Sequence, residues 1–296
     1  MQTRYTACGP AVVASDPPSR VRRTLVIRPP GFSVSRLGGY LRRLIQYSDL
    51  LLTMSRHRII VRYKQSVLGL AWALIQPLSL MAIYTIIFSV VTRVPTSGTP
   101  YPIFVYSALL PWTFFSSAVS NSTTSLVSHT QLITKVYFPR EILPITYNIS
   151  AGFDFLIAAF LLAGMMIYQK IRLSIYVWWL VPILLVSLLF AIVCSLFLSM
   201  LQVWFRDVGL AIPLAMQLWM FASPVVYPLD AVPFHLRKFY VLNPMVGVVE
   251  NFRRVLVQGR APDLGALWAA AVVSFLLLPC IYLLFKERES SMADVV

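Results

Sequence analysis

Few residues in this chain have the types and the spacing that catalysis needs. The sequence contains no G-x-x-x-x-G-K-[ST] motif and no Gly-Lys dipeptide, so it does not predict a P-loop for ATP. A G-x-S-x-G nucleophile motif and paired carboxylates suited to glycosyl chemistry are absent as well. The three cysteines and three histidines are scattered, which argues against a disulfide framework and against a metal site. These patterns favour a protein that is not an enzyme.

One acid, Asp154, lies deep inside a strongly apolar stretch. An ionisable side chain within a membrane is a functional candidate by default, for example in a proton pathway. Asn148 and Ser150 lie nearby in the sequence, and a neighbouring helix can supply further partners. Structural hydrogen bonding is therefore the favoured interpretation of Asp154, and a proton-coupled role stays open.

The composition predicts a protein that crosses a membrane several times. Hydrophobic residues make up 58% of the 296 residues, charged residues only 12%, and the mean hydropathy is +0.74. A typical soluble domain has about 25% charged residues. Twelve of the 25 Lys and Arg lie between Arg4 and Lys64, so the positive-inside rule places this end in the cytoplasm. The net charge of +14 therefore indicates topology rather than nucleic-acid binding.

The hydropathy pattern divides the chain into a basic N-terminal part and a transmembrane domain. Residues 1–34 are predicted to be a disordered basic tail, and residues 35–56 an amphipathic helix at the membrane interface. The transmembrane domain is predicted at 57–286, with a cytoplasmic tail at 287–296. Its six predicted spans lie at about 69–92, 103–124, 142–168, 175–203, 208–228 and 264–285.

The predicted fold class is therefore an all-α polytopic membrane protein. Because six is an even number, the C-terminus is predicted to lie in the cytoplasm with the N-terminus. Between the last two spans, VPFHLRKFYVL and NPMVGVVENFRRVLV are each predicted to form a short helix. Asn243 suits the N-cap of the second helix, and Pro244 suits its first position. We expect both helices to re-enter the membrane from the outer side, where their backbone must be buried in protein.

Two further features can serve recognition. Aromatic residues make up 13% of the chain, and many lie in predicted spans. Interface anchoring, core packing and an aromatic lining for a sugar polymer all fit that pattern. The loop SLVSHTQLITKVYFPRE predicts a short amphipathic helix at 126–136, and Pro139 ends any helix before it. This helix suits a soluble cytoplasmic partner, although a plain connecting helix fits as well.

Five blocks of sequence together resemble a known family. In chain order they are RYKQSVLGLAWALIQPL, LITKVYFPREILP, WFRDV, SPVVYPL and LNPMVGVVENFRRVL. They resemble the membrane subunit (permease) of ABC exporters for cell-surface polysaccharides, a family that includes O-antigen, capsule and teichoic acid exporters. The resemblance covers about residues 36–286, and the first 35 residues have no recognised counterpart.

The resemblance implies a permease that works as a homodimer on two copies of a separate ATPase subunit. ATP and Mg would be bound by that ATPase, and this chain would hold no cofactor. The implied substrate is a polysaccharide linked to a polyprenyl diphosphate, which is exported across the cytoplasmic (inner) membrane. The chain itself would be surrounded by the lipids of that membrane. Two alternatives remain: a permease of the same architecture for teichoic acid, capsule, drug or lipid cargo, and a membrane enzyme acting on lipid-linked sugars.

The resemblance also implies three groups of site residues. Contacts to the ATPase are implied for Gln131, Leu132, Lys135, Tyr137, Arg206 and Asp207. The aromatic residues that can line a channel between two protomers are Tyr84, Phe88, Trp112, Phe115, Trp219 and Tyr227. The cations that can donate charge-assisted hydrogen bonds to the lipid diphosphate at the entrance are Arg56, Arg58, Arg62 and Lys64. A purely topological role is the competing interpretation of these four cations.

Overall fold

The computed structural model describes residues 37–64, 66–91, 99–233, 235, 237, 240 and 242–295. The predicted tail at 1–34 and parts of the predicted helix at 232–242 lie outside the described residues. Every regular element within the described ranges is helical, which confirms the prediction of an all-α protein.

Two helices precede the first membrane segment. Helices α1 (Leu37–Gln46) and α2 (Ser48–Lys64) meet at a one-residue turn, and α2 continues beyond the interface helix predicted at 35–56. A 3₁₀ turn at Gly69–Ala71 then redirects the chain. Gly69 has a φ of 48°, in the left-handed region that glycine enters without steric cost.

Within the described residues, five segments are long and apolar enough to cross a membrane. They are Gly69–Ser89, Tyr101–Thr123, Ile142–Tyr168, Ile175–Trp204 and Leu264–Glu289. Their helices are α3 (Trp72–Thr85, continued by a π-helix at Ile86–Val91), α4 (Tyr101–Thr123), α7 (Ile142–Tyr168), α8 (Leu180–Trp204, preceded by a 3₁₀ helix at Ile175–Trp179) and α11 (Leu264–Val295).

The remaining predicted span, at about 208–228, is shorter in the structure. Its helix α9 (Val208–Phe221) has 14 residues, which reach about 21 Å at 1.5 Å per residue. The hydrocarbon core of a bilayer is about 30 Å thick. Residues 222–228 continue as turns, because two prolines in this stretch do not support a continuing helix. The α9 helix alone therefore falls short of a full crossing.

Short helices connect the longer ones at both ends of the bundle. Helices α5 (Ser125–Ser128) and α6 (Thr130–Lys135) follow α4. The single helix predicted at 126–136 is thus divided, by a turn at His129. Beyond α9, a 3₁₀ turn lies at Leu229–Ala231.

Helix α10 (Pro244–Leu256) packs closely against α11. Its N-cap forms as predicted, because the side chain of Asn243 accepts a hydrogen bond from the backbone N of Met245 at 3.1 Å. A Cβ atom at Gly247 would lie 2.5 Å from the carbonyl oxygen of Ala266. Glycine therefore allows the two helices to approach this closely.

Helix α4 is the centre of the bundle. Most of its side chains are buried, and it contacts α3, α7, α8, α9 and α10. A second apolar cluster, with Leu126, Ile133, Phe138 and Phe285, lies where α1, α2, α5 and α6 meet the C-terminal part of α11. We call this end of the bundle the basic end. The opposite end, which carries the segments around α10 and the connection between α7 and α8, is called the distal end.

Candidate functional site

A charged cluster joins α2 to α7. Nη1 of Arg62 lies 2.6 Å from Oδ2 of Asp154, and the hydroxyl of Tyr63 donates a hydrogen bond to Oδ1 of Asp154. The side chain of Asp154 is 17% exposed and that of Arg62 is 41% exposed. Asp154 thus has its described hydrogen-bond partners on α2, a neighbouring helix as expected, rather than at Asn148 or Ser150.

Tyr63 is held in its protonated form by this arrangement. Burial raises the pKa of Tyr63, and the hydrogen bond to Asp154 raises it further. The phenol therefore stays a donor to the carboxylate throughout the physiological pH range. Its ring also lies 6.2 Å from that of Phe153, centroid to centroid, so Tyr63 contacts two successive residues of α7.

The other three predicted entrance cations differ in their surroundings. Cζ of Arg58 lies 3.2 Å from the ring centroid of Tyr147, which is a cation–π contact. Burial lowers the pKa of Arg58, since the charged form loses hydration. Arg56 and Lys64 are exposed, and neither forms an ion pair with another described residue. Arg58 therefore anchors α2 on α7, while Arg56 and Lys64 remain available to an anion.

A cavity of about 300 Å³ opens beside the charged cluster, between α2, α3, α4 and α7. Its polar lining residues are Arg62, Tyr63, Gln76, Thr113, Ser117 and Asp154. Its aromatic lining residues are Trp72, Phe114 and Phe155. This cavity was not predictable from local sequence patterns, because its walls come from three separate parts of the chain.

The residues predicted to contact a soluble partner through α6 lie at the basic end. Gln131 and Lys135 are exposed, Leu132 is half-buried, and Tyr137 is 89% exposed just after the helix. Ile133 of the same helix is buried in the apolar cluster of this end. Helix α6 therefore has one face in the core and one face open to a partner.

The second predicted contact, Arg206 and Asp207, is exposed in the turn between α8 and α9. Nε2 of Gln202 donates a hydrogen bond to the carbonyl oxygen of Arg206 at 3.0 Å, which fixes the turn. A Cβ atom at Gly209 would lie 2.9 Å from the same Nε2. Glycine at this position thus leaves room for the bonding amide.

A buried charge network ties the segment after α6 to α11, and sequence analysis did not predict it. Nζ of Lys286 lies 2.6 Å from Oε2 of Glu141 and 2.9 Å from Oε2 of Glu289. The hydroxyl of Tyr282 donates to Oε1 of Glu141 at 3.0 Å, and the backbone N of Arg140 donates to Oε1 of Glu289 at 3.0 Å. The side chains of Glu141 and Lys286 are only 1% and 9% exposed. The network therefore joins the open helix α6 to the last membrane helix through desolvated charges.

Five of the six predicted channel aromatics lie in two groups. The ring centroid of Trp219 lies 5.3 Å from that of Phe115 and 6.3 Å from that of Trp112. The ring centroids of Tyr84 and Phe88 lie 6.3 Å apart. Tyr84, Trp112 and Phe115 are 9%, 3% and 0% exposed. Within a single chain these three pack in the core, and their role as a channel lining stays a prediction.

The distal end contains a buried arginine that sequence analysis did not single out. Arg253 of α10 is 0% exposed. Its Nη2 donates to the carbonyl oxygens of Pro224 and Val225 at 2.9 Å each, and its Nη1 lies 3.0 Å from Oε2 of Glu250. Its Cζ lies 3.8 Å from the ring centroid of Phe104. Arg253 therefore bonds backbone carbonyls in the turns after α9, where the helix no longer provides partners.

Two tyrosines support the same turns. The hydroxyl of Tyr101 donates to the carbonyl oxygen of Val226 at 2.7 Å. The hydroxyl of Tyr227, the sixth predicted channel residue, donates to the carbonyl oxygen of Phe221 at 2.7 Å and lies 2.9 Å from the hydroxyl of Tyr240. The turns after α9 are thus held by side chains from α4, from α10 and from within the segment itself.

Comparison with known proteins shows related membrane proteins along most of the chain. Residues 49–257 match the ABC-2 type transporter family. The chain is 30% identical over 259 residues to the O-antigen export system permease protein RfbA of Myxococcus xanthus, which covers 86% of this chain and 98% of that protein. It is 29% identical over 212 residues to RfbA of Klebsiella pneumoniae, an O-antigen export system permease protein. This match covers 71% of this chain and 81% of that protein. It is 25% identical over 244 residues to the polysialic acid transport protein KpsM of Escherichia coli. This match covers 78% of this chain and 90% of that protein.

Proposed function

This chain belongs to the ABC-2 type transporter family of membrane proteins, and we propose that its cargo is an O-antigen-like polysaccharide carried on a polyprenyl diphosphate. It is the permease subunit of an ABC polysaccharide exporter, because O-antigen export permeases align with it over 98% and 81% of their own lengths. This extensive alignment is the observation that carries the proposal. The five apolar segments of the described ranges agree with a multi-pass membrane protein.

A polysaccharide of the polysialic acid type is the second candidate cargo. The match to the polysialic acid transport protein KpsM favours it, at 25% identity over 78% of this chain. The O-antigen permeases align at higher identity, so an O-antigen-like polymer is the first choice. Teichoic acid, drug or lipid cargo would use the same architecture, but no observation on this chain favours them.

The proposed topology has six spans, with both termini on the cytoplasmic side of the inner membrane. We assign the fifth crossing to α9 together with the turns at 222–228. Backbone carbonyl and N–H groups outside a helix need hydrogen-bond partners from the protein at membrane depth. In these turns Arg253 donates to the carbonyl oxygens of Pro224 and Val225. Helix α10 has 13 residues, most of them buried, so it is too short to cross and suits a re-entrant helix on the outer side. The cations of α1 and α2 support a cytoplasmic position for the basic end, by the positive-inside rule.

The partner that fits the basic end is an ABC ATPase. The proposed assembly is a homodimer of this chain on two ATPase subunits, which would bind the ATP and Mg. The open face of α6 provides one contact, and the turn with Arg206 and Asp207 provides a second. Movement of the ATPase would shift α6 and open a channel between the protomers. Tyr84, Phe88, Trp112, Phe115, Trp219 and Tyr227 are the aromatic candidates for its walls.

Replacing Tyr137 with Ala is expected to weaken binding of the ATPase. An exposed tyrosine at the centre of a contact commonly contributes about 2 kcal/mol or more to binding, which is about thirtyfold in affinity. The measurement is co-purification of the tagged chain with candidate ABC ATPase subunits, followed by titration of the purified pair. Wild-type chain is expected to retain the ATPase, and failure of the wild type to do so would contradict the proposed function.

The matched control for this variant is Tyr168→Ala. Tyr168 is 84% exposed, close to the 89% of Tyr137, but it lies at the distal end of α7. We expect ATPase binding to stay unchanged in this variant. Equal losses in the two variants would show that exposed tyrosines affect the fold in general, and would argue against α6 as the docking helix.

The entrance for the lipid diphosphate is proposed at the end of α2. Arg56 and Lys64 are exposed and suited to phosphate oxygens, whereas Arg58 and Arg62 already contact Tyr147 and Asp154. Of the four predicted cations, Arg56 and Lys64 would therefore bind the anion, and Arg58 and Arg62 would position α2. A diphosphate arriving from the inner leaflet would meet Lys64 first, beside the start of the first span.

Replacing Arg62 with Gln is expected to lower export several-fold while membrane insertion stays near the wild-type level. The variant leaves Asp154 with Tyr63 as its remaining described partner, and it weakens the contact between α2 and α7 that Arg58 still supports. The double variant Arg62→Gln, Asp154→Asn is expected to lose less than the sum of the single losses, with a coupling of about 1 kcal/mol. Export is measured as polymer at the cell surface, and insertion as the amount of chain in the membrane.

Lys64→Gln is the companion variant. Lys64 has no ion-pair partner among the described residues, so this change is expected to leave α2 in place and to affect only the use of the lipid diphosphate. If both variants lowered insertion and export in parallel, the cations would serve topology alone.

A further inference from the structure

The cavity between α2, α3, α4 and α7 has the properties of a ligand site. Its volume is about 300 Å³, at the lower end of the range for small-molecule pockets, about 300–1,000 Å³. It suits a single ring rather than a polymer. Thr113 and Ser117 on its wall lie 12 and 16 residues into α4, which is about 18–24 Å from the distal end of that helix. The cavity therefore lies in the half of the bundle nearer the basic end, close to the proposed entrance.

The charge of the cavity argues against an anion as its ligand. Among the described residues that line it, Arg62 and Asp154 carry charge. They form an ion pair, with Nη1 of Arg62 2.6 Å from Oδ2 of Asp154. A phosphate placed against Arg62 would also meet the carboxylate of Asp154, and like charges repel at such distances. A purely apolar tail would fit poorly as well, because it would leave the polar lining groups without hydrogen bonds.

The polar groups of the cavity have unused hydrogen-bonding capacity. Within the described part of the chain, the side chains of Gln76 and Ser117 make no hydrogen bond. The carboxylate of Asp154 accepts from Arg62 and Tyr63, which leaves room for further donors on its two oxygens. An amide, a hydroxyl and a carboxylate of this kind match the mixed donors and acceptors of sugar hydroxyls.

The aromatic wall supplies the second feature that a sugar ring needs. The indole of Trp72 is 53% exposed at the edge of the cavity. The rings of Phe114 and Phe155 form the inner wall, with centroids 5.9 Å apart. Flat aromatic faces pack against the C–H face of a pyranose, while the hydroxyls at the ring edge reach polar groups.

From these observations we infer that this cavity binds one neutral sugar ring of the lipid-linked substrate, next to the diphosphate. The inference rests on the proposed function and deepens it. Lys64, two residues from Arg62, would hold the phosphate outside the cavity, and the first sugar would enter it. The permease would thereby distinguish a loaded lipid carrier from an empty one before ATP is used.

The test compares two probes on the purified complex of chain and ATPase in nanodiscs. One probe is polyprenyl diphosphate that carries a single neutral hexose, and the other is the same polyprenyl diphosphate without sugar. Wild type is expected to bind the sugar-bearing probe about tenfold more tightly, from two hydrogen bonds and one ring contact. The double variant Gln76→Leu, Ser117→Ala is expected to bind both probes with affinities within about twofold of each other.

Two further variants make the result specific. Trp72→Leu removes an exposed aromatic face, so it is expected to weaken binding of the sugar-bearing probe without loss of the fold. Ser116→Ala, on the adjacent α4 residue outside the cavity lining, is the matched control and is expected to change neither probe. Equal affinity of the wild type for both probes would overturn the inference. A double variant whose affinity falls by the same factor for both probes would overturn it as well. In either case, ATP hydrolysis stimulated by the full lipid-linked polymer would show that the proposed function still holds.

Discussion

Replacing Arg253 with Met is expected to destabilise the protein by about 3–5 kcal/mol, because a buried ion pair loses one partner. The variant removes the guanidinium that is bonded to the carbonyl oxygens of Pro224 and Val225. It also leaves Glu250, 15% exposed, without its cation. In thermal unfolding of the detergent-purified chain, the Tm is expected to fall by about 10 °C. The turns after α9 are expected to open first, because their backbone loses its partners.

Two variants control this prediction. Arg254→Met changes the neighbouring residue, which is half-buried and has no ion pair among the described residues, so we expect a much smaller shift in Tm. Glu250→Gln combined with Arg253→Met removes the uncompensated charge and is expected to recover part of the loss. If Arg253→Met unfolded at the wild-type temperature, the turns after α9 would not depend on Arg253, and our assignment of the fifth crossing would lose its support.

Replacing Lys286 with Met is expected to reduce export about tenfold, the upper range for residues that couple distant sites. The variant leaves the carboxylate of Glu141, 1% exposed, with the hydroxyl of Tyr282 as its remaining described hydrogen bond. The variant thereby removes the ion pair between the segment after α6 and α11, and the hydrogen bonds from Tyr282 and from the backbone N of Arg140 remain. Export is measured as surface polymer, and coupling as polymer exported per ATP hydrolysed by the complex.

The double variant Glu141→Gln, Lys286→Met separates stability from coupling. Removing both charges removes the unpaired carboxylate of Glu141 and leaves the more exposed Glu289 without Lys286, so the Tm is expected to recover most of what Lys286→Met loses. Export per ATP is expected to stay low, because the ion pair that couples the segment after α6 to α11 is still missing. The control is Glu287→Gln, an exposed residue on the same turn, which is expected to change neither quantity. If export recovered together with the Tm, the network would serve the fold alone.

The helices were predictable because their signals are local in the sequence. The span predicted at 142–168 is observed as Ile142–Tyr168, since a long apolar run has few alternatives to a helix. The N-cap at Asn243 followed from the residue types alone. The family followed from five short blocks whose order and content are specific.

The length of α9 was harder to predict. Hydropathy continues through residues 222–228, so the sequence indicates one apolar run. Pro224 and Pro228 do not support a continuing helix, and the chain forms turns instead. Such turns are stable in an apolar setting only if distant side chains bond their carbonyls. The donors Tyr101 and Arg253 could not be identified before the helices were placed.

The charged clusters could not be predicted from local sequence patterns either. Asp154 and Arg62 are 92 residues apart in the sequence, and Glu141 and Lys286 are 145 residues apart. Each acid had a signal, since a carboxylate inside or beside an apolar segment requires a partner. The sequence could not say which of many cations provides it. That choice depends on which helices pack together, and here α2 lies beside α7 and the end of α11 lies beside the start of α7.

The measurement that tests the central claim most directly uses the purified complex of this chain and its ATPase in lipid vesicles. We expect a polyprenyl-diphosphate-linked polysaccharide to stimulate ATP hydrolysis and to cross the membrane only when ATP is present. Small hydrophobic compounds added at the same concentration are expected to leave ATP hydrolysis at its basal rate. An ATPase that responds only to the small hydrophobic compounds, with no movement of the polysaccharide, would contradict the account.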